Sequence, residues 1–240
     1  MKKKFIFDYD DTLAWNQHDY SYPIVEMLTY ILNVLGPKSP NPKTILDLEE
    51  EIDMQNVKTI GFKMERFPTS FRMTYETLCQ EAGIPIEEKH QEAMYNIGMK
   101  AFSEERYKEQ GLISGAIEVL EFIKTKGDKN VLYTKGDERV QQKKIEVNNI
   151  AQYFDEIHIV GLKSTKGFLD IIGDWDKELV YKVGNSIRSD VNPALEAGIK
   201  VIYIPCETWG YERQHNGISL PEKVITLERI DQIPEIYDSL

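Results

Sequence analysis

The sequence predicts an α/β protein, a doubly wound parallel sheet interrupted after its first strand by a helical insertion. Three observations carry this. A short apolar run, Lys4-Phe5-Ile6-Phe7, breaks off at Asp8-Tyr9-Asp10-Asp11-Thr12-Leu13, as a buried strand does on reaching the ligand-binding edge of an open sheet. From about residue 20 to 108, helical spacing dominates and strand signals are almost absent. From about residue 112, strand and helix patterns alternate, which implies parallel strands, right-handed crossovers and helices on both faces.

The elements follow in order. Residues 22–35 place Ile24, Val25, Leu28, Ile31, Leu32 and Leu35 at helical spacing, and Gly36-Pro37 ends that helix. Residues 38–43, rich in Pro and Asn, read as a loop. A second helix spans 44–57, with Ile45, Leu48 and Ile52 on one side and Glu49-Glu50-Glu51 as a solvated face. Pro68-Thr69-Ser70 starts a third, which runs to Ala82 and stops at Gly83. Pro85 leads into a fourth that carries Ala93, Met94, Ile97, Ala101 and Phe102.

In the alternating part, an amphipathic helix over 115–126 precedes a strand over 130–133 that ends at Thr134. Next come a helix over 139–148, a strand over 156–160, a short helix over 168–172 and a strand over 179–183 ending at Gly184-Asn185. Asn192-Pro193 opens a further helix with capping chemistry and Gly198 closes it. Residues 201–204 form a strand, and 224–227 an edge strand. The expected organisation is therefore a core domain, 1–15 with 110–240, split by a helical domain, 16–109, placed where a lid would sit.

Composition narrows the function. Of 240 residues, 41% are hydrophobic and 29% charged, ordinary for a globular protein. The net charge of -11 argues against nucleic acid or an anionic membrane as partner, since both need a basic face. Cys79 and Cys206 stand far apart, which suits a reduced, cytoplasmic setting without disulfides. The apolar run after Lys2-Lys3-Lys4 is too short for a signal segment. His18, His90, His158 and His215 show no metal-ligand spacing. The oligomeric expectation is a monomer or homodimer.

Four strand ends carry polar groups suited to the same chemistry. They are Asp8 and Asp10; Thr134 with Lys135-Gly136-Asp137; Lys163 and Lys166; and Gly184-Asn185-Ser186 with Asp190. Asp8 and Asp10 are two apart, so on an extended chain their side chains leave the same face. Two carboxylates held that close must be protonated, paired or metal-bound.

In this ordered set the chain resembles the haloacid dehalogenase-like hydrolase superfamily, in its phosphatase-like branch with a helical cap after the first strand. The motifs are Asp8-Tyr9-Asp10-Asp11-Thr12, Thr134, Lys163 and Gly184-Asn185-Ser186-Ile187-Arg188-Ser189-Asp190. Residues 205–212, with Thr208-Trp209 and Glu212, and Arg66-Phe67-Pro68 add a looser likeness to phosphatase-like members. The resemblance implies a Rossmann-like core and a Mg2+-dependent phosphatase of small phosphorylated metabolites. Asp8 would be the nucleophile and Asp10 the general acid and base. Thr134 and Lys163 would bind the phosphate, and Asp8, Asp10, Asn185 and Asp190 would hold the metal. The dehalogenase branch lacks the second acid of the first loop and needs no metal, so Asp10 weighs against it.

The residues support those roles. A carboxylate is ionised at neutral pH without an activating base, and phosphoryl transfer needs mostly positioning and charge. Thr12 and the amides around Tyr9, Lys135 and Gly136 are expected to line the phosphate site, with Lys163 favoured over Lys166 as the partner lysine. Lys63 and Arg66, between two helices of the insertion, are candidates to reach a substrate anion. Many relatives have Asp where this chain has Asn185, which keeps a carbonyl oxygen but removes a charge. That departure supports an alternative: a weak or silent protein that binds a phosphorylated ligand or a protein partner. A phosphomutase or phosphotransferase would share the same loops.

Overall fold

The computed structural model describes residues 1–206, 211 and 224–240. The expected contributions of Thr208, Trp209, Glu212 and His215 lie outside these described residues. The elements run β1 (Lys4–Phe7), α1 (Gln17–Leu35), α2 (Pro42–Thr59), α3 (Arg66–Ala82), α4 (Glu88–Met99) and α5 (Glu104–Gln110). They continue with α6 (Ala116–Thr125), β2 (Lys129–Lys135), α7 (Glu138–Val147), β3 (Glu156–Val160), α8 (Thr165–Ile172), β4 (Val180–Gly184), α9 (Asn192–Ala197), β5 (Lys200–Tyr203), β6 (Val224–Thr226) and α10 (Ile233–Ile236). Two compact units result: Met1–Asn16 with Gln110–Leu240, and Gln17–Glu109.

The first unit is a Rossmann-like α/β sheet. Its six strands are all parallel, in the order β3-β2-β1-β4-β5-β6. Alternation along the strands supplies two apolar layers. Phe5, Phe7, Leu132, Tyr181, Val183 and Ile202 pack with α6, α7 and α10. Ile6, Val131, Tyr133, Val180 and Val201 pack with α8 and α9. Burial on both faces is what a parallel sheet requires. Phe7 lies opposite Leu132 of β2 and Val183 of β4, so Asp8, Thr134 and Asn185 follow on adjacent strands at one edge.

The second unit is helical around Met27, Ile31, Leu35, Ile45, Phe71, Tyr75, Leu78 and Met94. Here several boundaries differ from the sequence expectation. α1 begins at Gln17 and carries Pro23 inside it. α3 starts at Arg66, two residues before the proline read as its start. The fourth helix stops at Met99; Lys100–Phe102 form a 3-10 turn before α5. Glu49, expected on a solvated face, is buried. It shares the interior with Asp53, which is paired with Arg66 and accepts a 2.8 Å hydrogen bond from the Ser70 hydroxyl. Burial, and then the nearby Asp53 charge, push the Glu49 carboxyl well above its ordinary range. Among the described residues no helix is long and apolar enough to cross a membrane.

Candidate active site

The segments that follow β1, β3 and β4 converge through one lysine. Lys163, in the turn between β3 and α8, is buried, and its Nζ lies 2.6 Å from Asp8 Oδ1 and 2.6 Å from Asp190 Oδ1. Burial alone would lower the pKa of this ammonium, but the Asp190 and Asp8 charges outweigh it and hold Lys163 above its ordinary value. Lys166, the other lysine considered, is exposed on α8 and donates to Asp170 at 2.9 Å.

Asp8 follows β1, its amide bonded to the Val183 carbonyl at 2.9 Å. Its carboxyl is raised to about 6, first by burial, then by the Asp190 charge, with Lys163 and Lys182 acting in the opposite sense. Asp190 is fully buried and well below the usual carboxylate range, because Lys163 and Lys182 together outweigh its desolvation. The difference between the two acids follows from their surroundings: Asp190 Oδ1 has two ammoniums beside it, Lys163 at 2.6 Å and Lys182 at 3.1 Å.

Asp190 sits in a single π-turn, Ile187–Val191, a local geometry not expected from the sequence. Its Oδ2 accepts from the Ser186 amide at 3.1 Å. Gly184 makes this fit possible, since a Cβ there would lie 2.5 Å from the Asp190 carboxyl. Expected as a metal ligand, Asp190 here has both oxygens facing protein donors. Asn185 is buried at the end of β4.

Asp10 is held from α7. Gln141 Nε2 donates to its Oδ2 at 2.7 Å and Lys144 Nζ to its Oδ1 at 3.0 Å. Lys144 also bonds the Asn16 side chain, and Asp11, in left-handed backbone with φ 54°, accepts from the Asn16 amide at 2.9 Å. The first loop is thus fixed at both ends. Thr12 and Thr134 each bury a hydroxyl that has no hydrogen-bond partner among the described residues. An orphaned buried hydroxyl is destabilising unless something outside the chain completes it.

Other expected contacts are placed differently. The Tyr9 ring is buried and its hydroxyl donates to the Lys144 carbonyl at 3.0 Å, so only its main chain can line a ligand. The Gly136 amide, expected in an anion nest, instead donates to the Val160 carbonyl at 2.9 Å, because β2 and β3 stay paired to that point. The Lys135 ammonium meets Ser189 Oγ at 3.1 Å. Arg66, expected in a loop reaching outward, is buried in the first turn of α3 and paired with Asp53. Lys63 is exposed between α2 and α3.

Three residues of the site escaped sequence reading: Lys182, Lys144 and Gln141. Lys182 Nζ stands 3.1 Å from Asp190 Oδ1, without the alignment of a hydrogen bond. Burial lowers its pKa to about 8 despite the Asp190 charge, and the Lys163 charge adds to the lowering. Asp8, the Asp10 carbonyl and Asn185 could offer hard oxygens to a cation. No three His, Cys, Asp or Glu side chains among the described residues are grouped to hold one alone.

Comparisons with known proteins agree with this fold. A sequence profile described as haloacid dehalogenase-like hydrolase matches residues 5–204. A haloacid dehalogenase-like hydrolase from Xanthomonas campestris superposes with a TM-score of 0.75 at 23% identity, over 99% of this chain and 91% of that one. The HAD-hydrolase YfnB of Bacillus subtilis, solved with magnesium, gives 0.60 at 15%, over 99% of each chain. A predicted phosphoglycolate phosphatase from Haemophilus somnus gives 0.59 at 17%, over 98% of each chain. Haloacid dehalogenases are also among the similar structures, so the likeness carries the fold and not the bond that is cleaved. A search of curated proteins found no match.

Proposed function

Since the chain belongs to the haloacid dehalogenase-like hydrolase family, we propose that it is a Mg2+-dependent phosphatase of a small phosphorylated metabolite. The supporting observation is the pairing of Lys163 with Asp8 at 2.6 Å, at the sheet edge where the neighbouring β2 buries a Thr134 hydroxyl with no hydrogen-bond partner among the described residues. Together they supply a nucleophile, a fixed positive charge and a donor for an oxyanion at one sheet edge.

Asp8 attacks phosphorus; the P–O bond to the leaving group breaks, and Asp10 delivers a proton to the departing oxygen. An aspartyl phosphate remains. Asp10 then takes a proton from water, whose oxygen attacks phosphorus and releases phosphate and the Asp8 carboxylate. Lys163 offsets the negative charge of nucleophile and phosphate, and Thr134 donates to a phosphate oxygen. Asp8, the Asp10 carbonyl and the Asn185 side-chain oxygen would hold Mg2+, which neutralises charge on the transferring group when bound. Asp10 must exchange its bonds with Lys144 and Gln141 to carry the proton. The helical unit, residues 17–109, would act as the cap that excludes water and selects the leaving group.

Hydrolysis of p-nitrophenyl phosphate with and without Mg2+, followed by a panel of phosphorylated metabolites, tests this reading. Turnover that needs the metal and is lost in Asp8→Asn supports it. No turnover at any metal concentration favours the second reading, to which Asn185 points: binding of a phosphorylated ligand without hydrolysis.

A further inference from the structure

β4 lies between β1 and β5, and all five of its residues are buried. Alternation sends Val180 and Lys182 to the layer covered by α8 and α9, and Tyr181 and Val183 to the other. Lys182 has no exposed surface, and its ammonium is 5.9 Å from the centre of the Phe168 ring. A lysine placed so deep stays charged only beside a carboxylate. That carboxylate is Asp190, 3.1 Å away. Asp190 also takes Lys163 at 2.6 Å on the same oxygen and the Ser186 amide at 3.1 Å on the other.

Two ammoniums therefore face the two carboxylates of Asp8 and Asp190, and Asn185 adds no charge. Without Lys182 this group would be net negative and would attract a divalent cation. With it, the charges cancel before any cation arrives.

We propose that the buried Lys182 charge, by neutralising this group, weakens the divalent-cation site that Asp8, the Asp10 carbonyl and Asn185 would form. This rests on the hydrolase reading above and deepens it: Lys182 is a positioning residue that sets metal affinity from beneath the site. Asp190 serves as counter-ion to both lysines.

Calorimetric titration of Mg2+ into the full-length protein tests this without reference to turnover. Lys182→Met binds Mg2+ more tightly than wild type by at least about tenfold, and adding Asp190→Asn to that variant returns the affinity to the wild-type level. Unchanged or weaker binding by Lys182→Met that folds, as judged by circular dichroism, overturns the proposal. So does a gain that survives Asp190→Asn. Lys182→Gln, which keeps a polar head without charge, carries the same expectation should the methionine variant not fold. Flat affinities in a protein that hydrolyses phosphate esters sink this inference alone. The predicted affinities in a protein without turnover sink the hydrolase reading and leave the role of Lys182 standing.

Discussion

The Lys163 ammonium lies 2.6 Å from the Asp8 carboxylate, and this contact joins two segments far apart in sequence. Asp190 shares the same ammonium at the same distance. With Lys182, whose ammonium is 3.1 Å from Asp190, they form a buried cluster of two ammoniums and two carboxylates, and removing any one member leaves a charge uncompensated.

Lys163→Met should therefore destabilise the protein by about 3–5 kcal/mol, the cost typical of breaking a buried ion pair on one side. Urea unfolding would read this. A loss below about 1 kcal/mol would mean that the cluster opens to water and contributes as a surface pair does.

Thr134→Val should separate stability from function. It replaces a buried hydroxyl without a partner among the described residues by a methyl of similar shape, so stability should hold or rise slightly. Loss of a donor to the developing charge should lower kcat by about a hundredfold or more. Steady-state kinetics beside a thermal melt would show both; an unchanged kcat would remove Thr134 from the site.

Lys144→Met should free Asp10 from its position. Its ammonium and the Gln141 amide hold the two Asp10 oxygens, and general acid–base catalysis contributes about a hundredfold or more when well placed. The expected outcome is a fall in kcat with little change in KM. A change in KM alone would indicate a substrate contact instead.

Asp8 sets a pH dependence in the cation-free protein. Its folded value of about 6 exceeds the unfolded value of about 3.9. Between these values the folded chain holds a proton that the unfolded chain has released, so stability falls as pH rises through this window. It is fully present below about 3.9 and lost above about 6, a change of about 2–3 kcal/mol. Denaturant melts across that range would show the slope, and Asp8→Asn should remove it.

Sequence pattern reached the site where polar residues follow a strand. Asp8, Thr134, Lys163 and Asn185 each stand after a run of apolar residues, and the parallel sheet brings such ends to one edge. Lys182 was illegible for a physical reason: a lysine alternating with Tyr181 and Val183 reads as a solvent-facing position. Only burial of both faces of β4 turns it inward. Gln141 and Lys144 sit on a helix of mixed polarity, where their one signal is a three-residue spacing toward the first loop. Arg66 misled because Pro68 reads as a helix start, while the helix begins two residues earlier and carries the guanidinium inside to Asp53. Glu49 misled as one acid of three: it is buried on α2 near Asp53, the acid that pairs with Arg66 of α3.

The identity of the nucleophile is the central claim. Acid-quenching the protein during turnover of a phosphate monoester and mapping its peptides by mass spectrometry would find it. The predicted result is a hydroxylamine-sensitive phosphoryl group on Asp8, absent from Asp8→Asn together with all turnover. Steady hydrolysis with no such adduct, retained in Asp8→Asn, would contradict it.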